Sequence, residues 1–263
     1  MKEIKKKLSE KIRELGLTLN DTVLIHCNVS RLGSSPSEAC ENLYSSIRNV
    51  IGTKGHLFVP AFFYEYAREK KPFDVKETAP SRELGLFPSW FFENKKWSRS
   101  YNPITSLMAE GPKIQVLEQV PGGSAYGPGS GFDLFYRLKG KILFVGTGLK
   151  DMTFVHYIES KFQTPHLYPK VFNTPVFRYG KPQFYSIYGL VRYLEPEVEL
   201  DQEGNYEKLK KYRLVKSSHF NNIEMHLVDS RLAVKRLESA LKGNPYFFLK
   251  KAPDFIEGQY PCR

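Results

Sequence analysis

The sequence predicts an α/β fold, organised as one domain over residues 1–263. Three observations carry that expectation. Short apolar runs at 22–27, 57–59 and 141–145 read as buried strands. Around them lie segments with apolar residues at helical spacing, such as Ile4, Leu8 and Ile12. The two kinds of segment are interleaved, with no internal repeat and no low-complexity linker, so a single sheet covered by helices is the simplest arrangement.

Composition narrows the class. Hydrophobic residues make up 41% of the chain and charged residues 25%, a balance that excludes whole-chain disorder. No run of eighteen apolar residues is present, so no membrane span and no membrane partner are expected. The N-terminal MKEIKKKLSEKIREL lacks the apolar stretch of a secretory leader, which predicts a cytoplasmic protein. Cys27, Cys40 and Cys262 are too few and too scattered for a disulfide framework, and no Cys/His spacing fits zinc. No metal is expected. The net charge of +11 fits either an acidic partner or merely a lysine-rich surface. Its densest stretches, 2–13 and KLKKYRLVK at 208–216, carry no nucleic-acid-binding signature.

In chain order, residues 2–14 form an amphipathic helix stopped by Gly16. The strand 22–27 follows. The loop SRLGSSPS then leads into a helix capped by Ser35 or Ser37, with Pro36 and Glu38 in its first turn. Strand 57–59 is halted by Pro60. Residues 70–82, polar and proline-containing, read as a long surface loop of the kind that often carries function. A helix covers 84–94, interrupted or started at Pro88, and 98–106 reads as irregular and polar. The stretch 121–131 is dense in Gly, Pro and Ser. Strand 141–145 precedes Gly146-Thr147-Gly148, and a helix covers 152–162. A hairpin is expected within 177–191, turning at Gly180 with loose alternation over 184–190, and a helix over 227–241.

His156 and Glu159 stand three apart on the helix after strand 141–145, and so share a face. In open α/β sheets ligands collect beyond the carboxyl ends of strands, where this helix begins. A histidine there can take a proton, and a carboxylate can orient it. On spacing alone, a surface or core histidine beside an unrelated glutamate fits at least as well. Three glycine-containing loops, at 30–33, 127–131 and 146–148, have backbone N–H groups that can hold an anion or a carbonyl oxygen. None is a Walker loop or a dinucleotide fingerprint. Neighbours in a strand point to opposite faces, so Cys27 and His26 do not make a nucleophile pair. Ser124 lies outside any nucleophile elbow.

Taken together these pieces resemble the aminoglycoside 3-N-acetyltransferase family, coenzyme A-dependent enzymes not of the GNAT type. TVLIHCNVSRLG resembles the family's strand and H-S-x-x-S-x-x-G loop, and GHLFVPAFFY its G-T-L-v-x-P-t-F-t segment. RSYNPITS resembles R-S-x-H-P-x-x-S, with Asn102 where the family has histidine. The G-x-x-S-P block is met by Gly127, Ser130 and Gly131, without the proline, and Cys27 replaces the serine of H-S. Thr153, His156 and Glu159 fall on T-x-x-H-x-x-E, the most specific of these motifs. From about Phe172 onward only the texture is similar.

The resemblance implies an α/β fold with a central mixed sheet flanked by helices, and acetyl-CoA as co-substrate. It implies Ser30, Arg31, Leu32, Gly33, Arg99, Ser100, Ser106 and Thr153 on the coenzyme side, with Asn102 and Glu159 toward the acceptor. His156 becomes the base, acting directly or through water. Glu159 either orients it or holds the acceptor's ammonium. Transfer is direct within a ternary complex, since no convincing nucleophile is present. The acceptor is expected to be the amino group of a small amino sugar. A chain at +11 repels a polycation at long range, so a nucleotide-linked sugar of surface-polysaccharide synthesis is the first expectation and an aminoglycoside drug the second. A basic nucleic-acid-binding protein is the competing class. The reading leaves room for a homodimer.

Overall fold

A computed structural model describes residues 2–118, 123–183, 186–193 and 198–254. The helices are α1 (Lys2–Leu15), α2 (Pro36–Ile51), α3 (Glu65–Arg68), α4 (Leu86–Asn94), α5 (Gly131–Arg137), α6 (Phe154–Lys161), α7 (Gly204–Lys211) and α8 (Ser230–Gly243). The strands are β1 (Thr22–Cys27), β2 (His56–Pro60), β3 (Phe73–Asp74), β4 (Ser98–Arg99), β5 (Leu107–Glu110), β6 (Lys141–Val145), β7 (Leu167–Phe172), β8 (Val176–Arg178), β9 (Lys181–Gln183), β10 (Ile187–Arg192), β11 (Val215–Phe220) and β12 (Ile223–Asp229).

The main sheet runs β11-β12-β6-β1-β2-β5-β4. Its centre, β6-β1-β2, is parallel, and both flanks are antiparallel. This is the mixed sheet between helices that was expected. Alternation along β1 sorts its residues between two layers. Val23 and Ile25 pack with α1, α2 and α4, through Leu8, Ile12, Leu43, Ile47 and Phe91. Leu24 faces the other layer, with Phe144, Phe135, Phe154, Leu209 and Leu237 of the opposite helices and sheet face. Burial on both faces explains why β1 and β6 read as uninterrupted apolar runs.

Local chemistry sets the element ends. Ser35 is the cap of α2, its hydroxyl accepting from Glu38 N at 3.2 Å, and Pro36 occupies the first turn. Gly33 packs so closely on the start of α2 that a Cβ would lie 2.6 Å from Ala39 N. The 3₁₀ turn Leu149–Asp151 precedes α6, which begins two residues later than expected.

Four expectations need correction. The 70–82 stretch is not simply a surface loop: Phe73 and Val75 are buried, and β3 pairs with β8, closing a small core with Tyr66, Tyr101, Val176 and Ile187. The polar 98–106 stretch is largely buried, because its polar groups are bonded internally, and β4 pairs with β5. The helix expected over 227–241 starts at Ser230. Its first residues belong to β12, and Asp229 Oδ1 caps the helix by accepting from Leu232 N at 2.9 Å. The hairpin turns at Tyr179-Gly180 as expected, with φ of 52° and 69°, but its second strand is Lys181–Gln183. Ile187–Arg192 instead pairs with β7; residues 184 and 185 of that expectation lie outside the described residues.

Candidate active site

The three parallel strands end together at Cys27, Pro60 and Val145, and the chain turns outward after each. A cleft of about 720 Å³ opens at those ends. Its lining comes from Asn28–Ser30 after β1, Phe62 and Tyr64 after β2, and Thr147 with Leu149–Thr153 after β6. The start of α4, with Glu83–Pro88, and Asn205 and Leu209 of α7 complete the wall.

Helix α6 directs Phe154, Tyr157, Ile158 and Glu159 inward and leaves His156 on its cleft side. The His156 side chain is 31% exposed, whereas Glu159 has no exposed surface. His156 Nδ1 lies 2.6 Å from Glu159 Oε2. The other carboxylate oxygen, Oε1, lies 3.0 Å from His166 Nε2, and His166 is itself buried. His166 arrives there through a tight reversal after α6, in which Gln163 takes a φ of 51° and Thr164 N donates to Glu159 O at 3.1 Å.

Burial pushes the Glu159 carboxyl upward, but its bonds to His156 and then His166 outweigh burial and hold it below the usual carboxylate range. An ionised carboxylate only accepts hydrogen bonds, so each imidazole must donate to it. In its neutral form His156 therefore carries its proton on Nδ1 and has its lone pair on Nε2. That is the state a general base requires. Tyr126 packs beside the imidazole, with centroids 5.5 Å apart.

The floor of the cleft is different. His26 stacks on Phe144 at 5.3 Å with 15° between the rings, and its buried Nε2 has no hydrogen-bond partner. Desolvation pushes its pKa down to about 4, against a smaller opposite pull from Asp151. Cys27, at the strand's end, borders the cleft but packs against the α1–α2 layer, and burial pushes its thiol up. The pair is thus separated as strand alternation requires.

The cleft brings together Ser30, Thr153 and His156 of the residues expected at the site, with His26 and Cys27 also in its lining. Arg31 is exposed beside it, Leu32 is buried, and Gly33 packs on α2. Two N–H groups of this loop are already engaged, Ser30 N with Asn28 Oδ1 and Leu32 N with Val29 O. Arg99 is fully buried, and its guanidinium donates to the carbonyls of Ala61 and Thr78 and to Ser106 Oγ. Ser100 Oγ accepts from Leu107 N at 2.9 Å. The Asn102 amide donates to Gly123 O and Tyr188 O. None of these four lines the cleft; they brace the segments behind it. Glu159 stands behind His156 with both oxygens engaged. Sequence reasoning missed His166, Tyr126 and Glu83. The segment QTPHLYP does offer a second histidine seven residues beyond Glu159. Among the described residues no group of three or more His, Cys, Asp or Glu is arranged to hold a metal ion.

Comparison with known proteins bears on this arrangement. A family model described as aminoglycoside 3-N-acetyltransferase matches residues 24–242. Aminoglycoside N(3)-acetyltransferase III of Salmonella sp is 29% identical over 178 residues, 62% of this chain and 62% of the relative. Aminoglycoside N(3)-acetyltransferase VIII of Streptomyces fradiae is 23% identical over 176 residues, 60% of this chain and 61% of the relative. The match to the first of these thus spans under two thirds of the relative's length. Among solved structures, AAC-IIIb in a binary complex with CoASH superposes with a TM-score of 0.75 at 21% identity, covering 95% of this chain and 98% of that one. YokD of Bacillus subtilis superposes at 0.72 and 19% identity, covering 91% and 99%. With a matching family model over most of its length and the same fold as these structures, the chain belongs to the aminoglycoside 3-N-acetyltransferase family.

Proposed function

We propose that this protein transfers an acetyl group from acetyl-CoA to an amino group of an aminoglycoside-type amino sugar. The observation that carries the reading is His156, held by a buried ionised Glu159 and lining a cleft at the strand ends. An aliphatic ammonium must lose a proton before it attacks a thioester. The Nε2 lone pair of His156 takes that proton, directly or through water, and Glu159 stabilises the imidazolium that results. The free amine adds to the thioester carbonyl, its nitrogen gives up a second proton to solvent as the C–S bond breaks, and the first proton passes from His156 to the leaving thiolate. Ser30, Thr153 and Lys150 give the cleft polar groups suited to a phosphate-bearing donor, and Leu84, Leu86 and Met152 give it an apolar wall for the acyl arm.

The aminoglycoside acceptor is favoured over the anionic one by local charge. The lining carries Asp151 and Glu83, the latter ion-paired with Arg68 at 2.6 Å, against Lys150, so the +11 of the whole chain does not describe the cleft. The lysines at 208–211 are partly spent on neighbours, Lys208 on Asp201 and Lys210 on Glu207. The relatives' names point the same way. Thiol release from acetyl-CoA, measured against aminoglycosides and nucleotide-linked amino sugars, tests both parts. Turnover with the polyamines supports the reading. Turnover only with nucleotide sugars would move the acceptor back to the anionic class, and thiol release with neither would remove the activity.

A further inference from the structure

His166 does not line the cleft, yet it occupies the second oxygen of the carboxylate behind the base. It is 1% exposed, and its ring packs beside Tyr246 at 6.1 Å. Its Nδ1 is buried with no hydrogen-bond partner. A proton on that nitrogen would be an N–H desolvated without an acceptor, so the ring's proton sits on Nε2 and is donated to Glu159 Oε1. Burying half a polar ring without a partner is a cost that a leucine of similar size would avoid. What the histidine supplies in return is a second donor to a carboxylate that water does not reach. With His156 alone, Oε1 would be a desolvated charge without a bond, and the carboxylate could turn about its last torsion.

We propose that His166 is a positioning residue: its bond to Oε1 fixes the Glu159 carboxylate with Oε2 facing His156 Nδ1, and so sets His156 in the tautomer whose lone pair is on Nε2. This rests on the acetyl-transfer reading for its consequence in turnover, but the tautomer can be read without any turnover.

The test is ¹⁵N spectroscopy of histidine-labelled protein at about pH 8, with kinetics on two variants. In the unsubstituted protein His156 should show a protonated Nδ1 and a lone-pair Nε2, and His166 the reverse. His166→Leu should blur His156 into a mixture of tautomers and lower kcat by about tenfold or more, with KM for acetyl-CoA within about twofold. His166→Gln keeps an N–H within reach of Oε1 and should restore a single tautomer and most of kcat. If His166→Leu does not fold, the unsubstituted spectrum and His166→Gln decide the matter. A proton on His156 Nε2 in the unsubstituted protein, or a His166→Leu variant with unchanged tautomer and kcat, overturns the proposal. The predicted nitrogen assignments in a protein without acetyl-transfer activity would uphold this arrangement and fault the proposed function instead.

Discussion

The floor of the cleft, at the end of β1, offers His26, and its α6 wall offers His156; what stands behind each ring differs. Behind His26 is the face of Phe144, and its buried Nε2 has no hydrogen-bond partner. Behind His156 is a carboxylate at 2.6 Å. The first ring is desolvated and held neutral down to about pH 4. The second has a stabilised site for the positive charge it would gain. Proximity to a cleft therefore does not make a histidine a base. A buried anion on one side and an open face on the other do.

The largest way to break this contrast is His156→Asn. Its kcat should fall by roughly 10²–10⁴-fold, with acetyl-CoA affinity by calorimetry nearly unchanged. Retained turnover would remove His156 from the mechanism. Glu159→Gln comes next. A carboxamide has one accepting end and one donating end, so one of the two imidazoles must reverse its tautomer. A loss of at least about tenfold in kcat is expected, mainly without a rise in acceptor KM. A loss confined to acceptor KM would make Glu159 a ligand for the ammonium.

His26 should matter for stability and little for turnover. Its folded pKa of about 4 lies below the ordinary 6.5. As pH falls below 6.5 the unfolded chain takes up a proton that the folded protein refuses, so stability drops until about pH 4. The full swing is about 3 kcal/mol. Denaturant melts of His26→Phe, which keeps the stacking, should show a flatter profile across that window. An unchanged slope would mean that other groups carry it. The smallest effect belongs to Cys27→Ser, which should keep most activity and lose some melting temperature. An acetylated Cys27 found by mass spectrometry during turnover would contradict direct transfer.

How much of this was legible in the sequence follows from burial. β1 and β6 could be read to the residue because parallel strands covered on both faces are apolar throughout. β11, reading VKSSHF, is half exposed at the sheet edge, and its pairing with β12 leaves only a weak pattern. The Thr153-x-x-His156-x-x-Glu159 spacing brought His156 and Glu159 together on one helix face, since three residues along a helix are neighbours. His166 was not legible, because the reversal at Gln163 brings it back to Glu159. Arg99, Ser106 and Asn102 were recognised as motif residues, but a motif does not say whether a side chain faces a ligand or braces the loop behind it. Net charge is a weak guide to the acceptor for a similar reason: a sum over the chain carries no address, and the cleft lining holds Glu83 and Asp151 against Lys150.

The most direct test of the central claim, that His156 and Glu159 act as one unit, is a double-mutant cycle on kcat for thiol release. It compares His156→Asn, Glu159→Gln and the two together. Glu159 has no surface in the cleft and acts only through the imidazole, so the double variant should be about as slow as His156→Asn alone. Losses that multiply would show that each side chain reaches the reaction separately, and the account of the site would be wrong.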